Sequence, residues 1–183
     1  MTKEINVIEA LRHNRHDWLN VMQLVKTNLA LGNYERIEEL IQQTVQTCVN
    51  ESKLSSLGIP KVATKLLTYN WLYGKESSLH VEVNVAGNEA NLNKREDLID
   101  GLVTELLSSF SKYSDWRTEN HLLITFVLNE SCCELLFQYE GDLQVSSENL
   151  FVFDHGNEFK IEIVEWQRDT CLLRVQLPIN RGE

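Results

Sequence analysis

The chain has 183 residues, 43% hydrophobic and 24% charged, enough to bury a core as one domain or two small ones. Its 8 Gly and 2 Pro argue against a linker-rich or disordered chain. A net charge of −10, with basic residues scattered except for Arg12 and Arg15, repels polyanions and excludes nucleic acid as a partner. The cysteines Cys48, Cys132, Cys133 and Cys171 form no C-x-x-C pair, which reads as reduced thiols in a cytoplasmic protein rather than a zinc site. The opening "MTKEINVIEA" has no apolar core of a signal peptide, and no run approaches the roughly 20 apolar residues that cross a bilayer, so no membrane association is expected.

From Lys3 to Leu31 there is neither Pro nor Gly, and Val7, Leu11, Trp18, Met22, Val25 and Leu29 recur at helical spacing. Gly32 and Asn33 are helix-stop and turn residues. A second helix is expected from Tyr34 to about Leu57, with Ile37, Leu40, Ile41, Val45 and Cys48 on one side, ended by Gly58 to Pro60. Two long helices joined by a short turn form an antiparallel hairpin. A hairpin buries only part of each apolar stripe, so the spacing predicts that a second copy covers the rest in a dimeric four-helix bundle.

After Pro60 the pattern changes. A shorter helix starts at Pro60, and Leu79, Val81, Val83 and Val85 alternate with polar residues as in a half-buried strand. A further helix carries Leu98, Leu102, Leu106 and Phe110. Two strand pairs follow, turning at Asn129–Ser131 and at Arg168–Asp169. The fold class is therefore α+β. Residues 1–58 are a helical hairpin for dimerisation, and 59–183 form an α/β domain with helices on one face of a mainly antiparallel sheet.

The segment "RHNRHDWLNVMQL" concentrates polar chemistry on the first helix. At about 100° per residue, His16, Asn20 and Gln23 fall roughly 120–180° from the Leu11 stripe, near Arg12 and His13. His16 is thus expected on the exposed face, with Asn20 one turn below and Arg12 one turn above. Leu24 and Leu31 share that face, as in a surface that docks another protein. Geometry alone favours an ordinary solvated helix face. A metal site using His13 and His16 lacks further ligands nearby in sequence and is set aside. A neutral imidazole at cellular pH also suits a covalent carrier that two partners must reach. Arg12 and Arg15 would offset phosphoryl charge, and Asn20 would orient the ring.

The segments "RHDWLNVMQL" and "ESKLSSL" resemble the phosphotransferase B family that initiates sporulation in endospore-forming bacteria. More broadly, they resemble the phosphoacceptor hairpin of histidine kinases, with its H-[DE]-x-x-N motif. The resemblance implies that His16 is phosphorylated, with Arg15, Asp17 and Asn20 in support. It places His13, Gln23 and Leu24 on a surface for response regulators, and Arg12 where a smaller residue is usual. The implied activity moves a phosphoryl group from the aspartate of one regulator to His16 and on to that of a second, without a bound cofactor. Mg²⁺ would sit on the partner regulator.

The order of elements after Pro60 resembles the ATP-binding domain of histidine kinases. Ser109 stands where the Mg²⁺-binding Asn of "L-x-N-A-x-K-[YH]-[ST]" is expected, although Lys112, Tyr113 and Ser114 match. The glycine-rich boxes are reduced to Gly141 in "YEGDLQV" and to Gly156. Without those glycines the backbone cannot approach phosphates closely, so no useful ATP binding is expected. The rival readings are a kinase with a degenerate ATP site and a non-catalytic dimeric adaptor or kinase inhibitor using the same helix face.

Overall fold

The computed structural model describes residues 6–74, 77–87, 90–129, 132–145 and 158–178. The chain divides into two compact units, Met1–Ser52 and Lys53–Glu183.

The first unit is built on α1 (Val7–Leu31) and most of α2 (Tyr34–Ser56). Asn6 starts α1: its side chain accepts from the Glu9 backbone N–H at 2.9 Å, and the Glu9 carboxylate faces the Asn6 N–H in return. That cap sets the first turn at Val7, while residues 3–5 lie outside the described residues. Gly32, at φ 73°, closes the helix. The Asn33 N–H then reaches back to Asn28 O at 2.9 Å, which turns the chain directly into α2.

Within the single chain, α1 is buried to one side of its expected stripe. Ala10, His13, Val21, Val25 and Asn28 are half-buried, as are Ile37 and Thr44 on α2, and Leu40 is buried. Val7, Leu11, Trp18, Met22 and Leu29, expected in the core, are between 44% and 74% exposed. Ile41, Val45 and Val49 of α2 are exposed as well. The hairpin seam lies about a quarter turn from the richest apolar stripe of each helix.

Leu54 and Leu57 at the end of α2 are fully buried in the core of the second unit. There follow α3 (Pro60–Tyr73), β1 (Leu79–Gly87), a 3₁₀ turn (Asn93–Arg95) and α4 (Glu96–Tyr113). The remaining strands are β2 (Asn120–Leu128), β3 (Cys132–Glu140), β4 (Lys160–Trp166) and β5 (Thr170–Pro178). The sheet order is β1-β2-β3-β5-β4. The β1–β2 pair is parallel and the others are antiparallel, with a bulge in β4 between Ile163 and Glu165. Alternation sends Leu122, Ile124, Phe126, Leu135, Phe137, Leu173 and Val175 inward, against Ile99, Leu102, Leu106 and Phe110 of α4. Asn70 of α3 pairs with the outer edge of β1. Its Nδ2 donates to Val81 O at 2.7 Å, and its Oδ1 accepts from Val81 N at 2.9 Å.

Burial raises the thiols of Cys133 and Cys171 to about 12. Both are expected to resist iodoacetamide at pH 8 in the native protein and to react after denaturation, which a mass count of alkyl groups checks.

Candidate functional site

His16 lies mid-way along α1 with its side chain 71% exposed. The Asn20 side-chain amide, one turn on, is 3.1 Å from His16 Nδ1, and Asp17 Oδ1 is 3.4 Å from the same atom. Nδ1 can donate to the Asp17 carboxylate or accept from Asn20 Nδ2. Either way one side of the ring is held, and Nε2 has no partner among the described residues. The H-[DE]-x-x-N spacing is thus a local device: side chains lean toward the helix N-terminus, so the residue at i+4 reaches back to the ring at i.

Arg12, Arg15, Gln23 and Leu24 are exposed on the same helix. His13 is the exception. It was expected beside His16 on the exposed face, yet it turns toward the seam and is half-buried. Across the hairpin, partial burial raises the Glu51 carboxyl above its ordinary value, and the charge of Asp17 raises it further. The motif did not reveal this acidic neighbour. Antiparallel pairing about the Gly32 turn would have pointed to it, because that pairing sets residue 48 opposite residue 17 and residue 51 within one turn of it.

The segment that resembles a nucleotide site is tied to the protein itself. The Gly141 N–H donates to Asp169 O at 2.9 Å, and that of Asp142 to Asn120 Oδ1 at 3.0 Å. The N–H of Leu143 reaches Arg168 O at 3.2 Å, and that of Gln144 reaches Tyr113 O at 2.8 Å. Four successive amides that would face phosphates in a nucleotide cradle are therefore spent internally. The Asp142 carboxylate pairs with Arg168 at 3.2 Å. Ser114, from the matching "KYS", shares a hydrogen bond with Tyr139 Oη at 3.1 Å. Ser109 is half-buried on α4, and Gly156 lies outside the described residues. Among the described residues no group of three or more His, Cys, Asp or Glu is placed to hold a metal, and no helix is long and apolar enough to cross a membrane.

Asn120 is the hub of this region. Its Nδ2 donates to Asp115 O and Thr118 O, each at 2.9 Å, while its Oδ1 accepts from Tyr139 Oη at 2.6 Å. A Cβ at Gly141 would overlap Asn120 Oδ1, so the lone glycine of "YEGD" serves close packing. Arg117 holds the Asp115 carboxyl down to about 2, through its side chain and then its backbone N–H. Because that value lies below the unfolded one, Asp115 stabilises the fold fully above about pH 4, and the contribution fades as pH falls toward 2. Asp115→Asn is expected to lower the urea midpoint at pH 7, with the gap from wild type narrowing as pH falls from about 4 toward 2.

Two family models divide the chain. Residues 1–57 match "Sensor_kinase_SpoOB-type, alpha-helical domain", and residues 58–178 match "Sporulation initiation phospho-transferase B, C-terminal". The chain belongs to the sporulation initiation phosphotransferase B family. It is 36% identical over 125 residues to sporulation initiation phosphotransferase B of Bacillus subtilis (strain 168), an alignment that takes in 68% of this chain and 62% of that relative. Among solved structures, histidine kinase AdeS of Acinetobacter baumannii superposes with a TM-score of 0.50 at 14% identity, over 91% of this chain and 98% of that one. The blue-light activated histidine kinase EL346 of Erythrobacter litoralis gives a TM-score of 0.51 at 12% identity, over 100% of this chain and 63% of that one. These two show a shared fold: the family's helical region and mixed five-stranded sheet are built like parts of histidine kinases.

Proposed function

We propose that the chain is a phosphorelay phosphotransferase that acts in the initiation of sporulation, as the name of its Bacillus relative suggests. The observation that carries the reading is the exposed His16 imidazole, with the Asp17 carboxylate 3.4 Å from Nδ1 and Nε2 open. The neutral ring, with its Nδ1 proton directed at the Asp17 carboxylate, presents the Nε2 lone pair to the aspartyl phosphate of a response regulator. The acyl phosphate P–O bond breaks, the regulator's carboxylate leaves, and the P–Nε2 bond forms. The reverse step on a second regulator regenerates His16.

Mg²⁺ on the regulator and the regulator's own cation carry most of the charge stabilisation, and this chain binds no cofactor. Gln23, Leu24 and Leu31, exposed along α1, supply the docking surface, and Arg15 flanks it. The internally bonded amides of residues 141–144 and Ser109 on α4 support a domain that does not use ATP. The exposed stripes of α1 and α2 support a homodimer in which two hairpins form a four-helix bundle. A cytoplasmic location follows from this role.

The test is to offer the purified protein either a labelled phospho-regulator or labelled ATP with Mg²⁺, alongside His16→Ala. Acid-labile label from the regulator alone, lost in His16→Ala, is expected. Label from ATP would make the protein a kinase, and regulator binding without label would make it an adaptor.

A further inference from the structure

Arg12 is one turn before His16 on α1, and both side chains are exposed. At 100° per residue the two directions differ by about 40°, and side chains at this spacing have Cβ atoms roughly 5–6 Å apart. In the second unit, Arg117, Arg168 and Arg174 are spent in ion pairs with Asp115, Asp142, and Glu134 and Glu162. Arg36 pairs with Glu39 in the first unit. Arg12 has no such partner among the described residues, and Glu9, the carboxylate nearest to it along α1, is engaged in the helix cap. Asn20 and Asp17 crowd the Nδ1 side of the His16 ring. Nε2 is therefore the nitrogen left open, and the ring, like other helical side chains, leans toward the preceding turn and so toward Arg12.

We infer that Arg12 is the phosphoryl-binding residue of this chain, pairing its guanidinium with the phosphoryl group once that group is on His16 Nε2. The inference rests on the reading of His16 as acceptor and adds the cation that holds the intermediate. A phosphoryl group brings close to two negative charges onto a protein of net charge −10, so a local cation is needed to hold it. A planar guanidinium meets two phosphoryl oxygens at once. Arg15 points about 100° away from His16 and is the poorer candidate.

The test starts from phosphoramidate, which needs no partner protein. Its P–N bond breaks, ammonia leaves, the Nε2–P bond forms, and the Nδ1 proton passes to solvent. The phosphoryl ionisation is then followed by ³¹P NMR. Arg12→Ala is expected to raise that ionisation by about 0.5–1 pH unit, because the nearby cation favours the dianion, while Arg12→Lys restores part of the shift and Arg15→Ala moves it less. An unchanged phosphoryl ionisation in Arg12→Ala would overturn the inference while leaving the relay reading intact. Phosphorylation at His13 with His16 untouched would instead undo the relay reading.

Discussion

Phosphoryl uptake from a phosphorylated regulator is expected to fall by at least about three orders of magnitude in His16→Gln, since loss of a covalent nucleophile is of that size or larger. Glutamine keeps polarity and approximate length but offers no nucleophilic nitrogen at neutral pH. With His16 71% exposed and bonded only to its neighbours Asp17 and Asn20, the fold should be untouched. Rapid-quench label uptake beside a thermal melt separates the two effects: uptake collapses and the melt does not move. A weaker partner effect is expected at Asn20, where Ala leaves the nucleophile in place but frees the ring, for a loss of roughly tenfold to a hundredfold. Relay flux that survives in His16→Gln would end the reading of His16 as the carrier.

The largest structural effect is expected in the second unit. Asn120→Leu has nearly the right volume for its site, yet it removes the partners of the Asp142 N–H and the Thr118 carbonyl, and leaves the Tyr139 hydroxyl with Ser114 alone and the Asp115 carbonyl with Thr118 alone. Asn120 is 1% exposed and Tyr139 fully buried, so water cannot replace the bond between them without opening the core. Buried groups left unpaired cost about 1–3 kcal/mol each, and their joint loss here should be roughly 3–5 kcal/mol, a large share of ordinary domain stability. Tyr139→Phe removes one donor and should cost about 1 kcal/mol. Urea titrations of both variants measure the difference. Equal, small effects would mean that the hub is not what holds the "YEGD" segment in place.

Much of this architecture follows from patterns the chain displays openly. Gly32 and Asn33 announce the hairpin turn, Pro60 opens α3, and strict alternation marks β1, β2, β3 and β5. The exposed position of His16 follows from 100° per residue alone. What periodicity cannot show is which side of an amphipathic helix its neighbour takes. The apolar stripe of α1 is wide, and α2 covers the Val21–Val25 edge of it rather than the Leu11–Trp18 centre, which also draws His13 inward. The Asn120 network was equally hidden. Its members, Asp115, Asn120, Tyr139 and Asp142, come from separate elements and meet only when β2 and β3 pair. Asn70 on the edge of β1 is a contact of the same kind, a polar residue in a helix whose partner is a backbone distant in sequence.

The most direct test of the central claim is to locate the phosphoryl group. The protein is mixed with a phosphorylated single-domain regulator, digested at alkaline pH and analysed by mass spectrometry, with ³¹P NMR on the intact sample. The account predicts one phosphoramidate, on the peptide containing His16 and bonded through Nε2. A phosphoramidate on another histidine, or on His16 only when ATP is supplied, would contradict it.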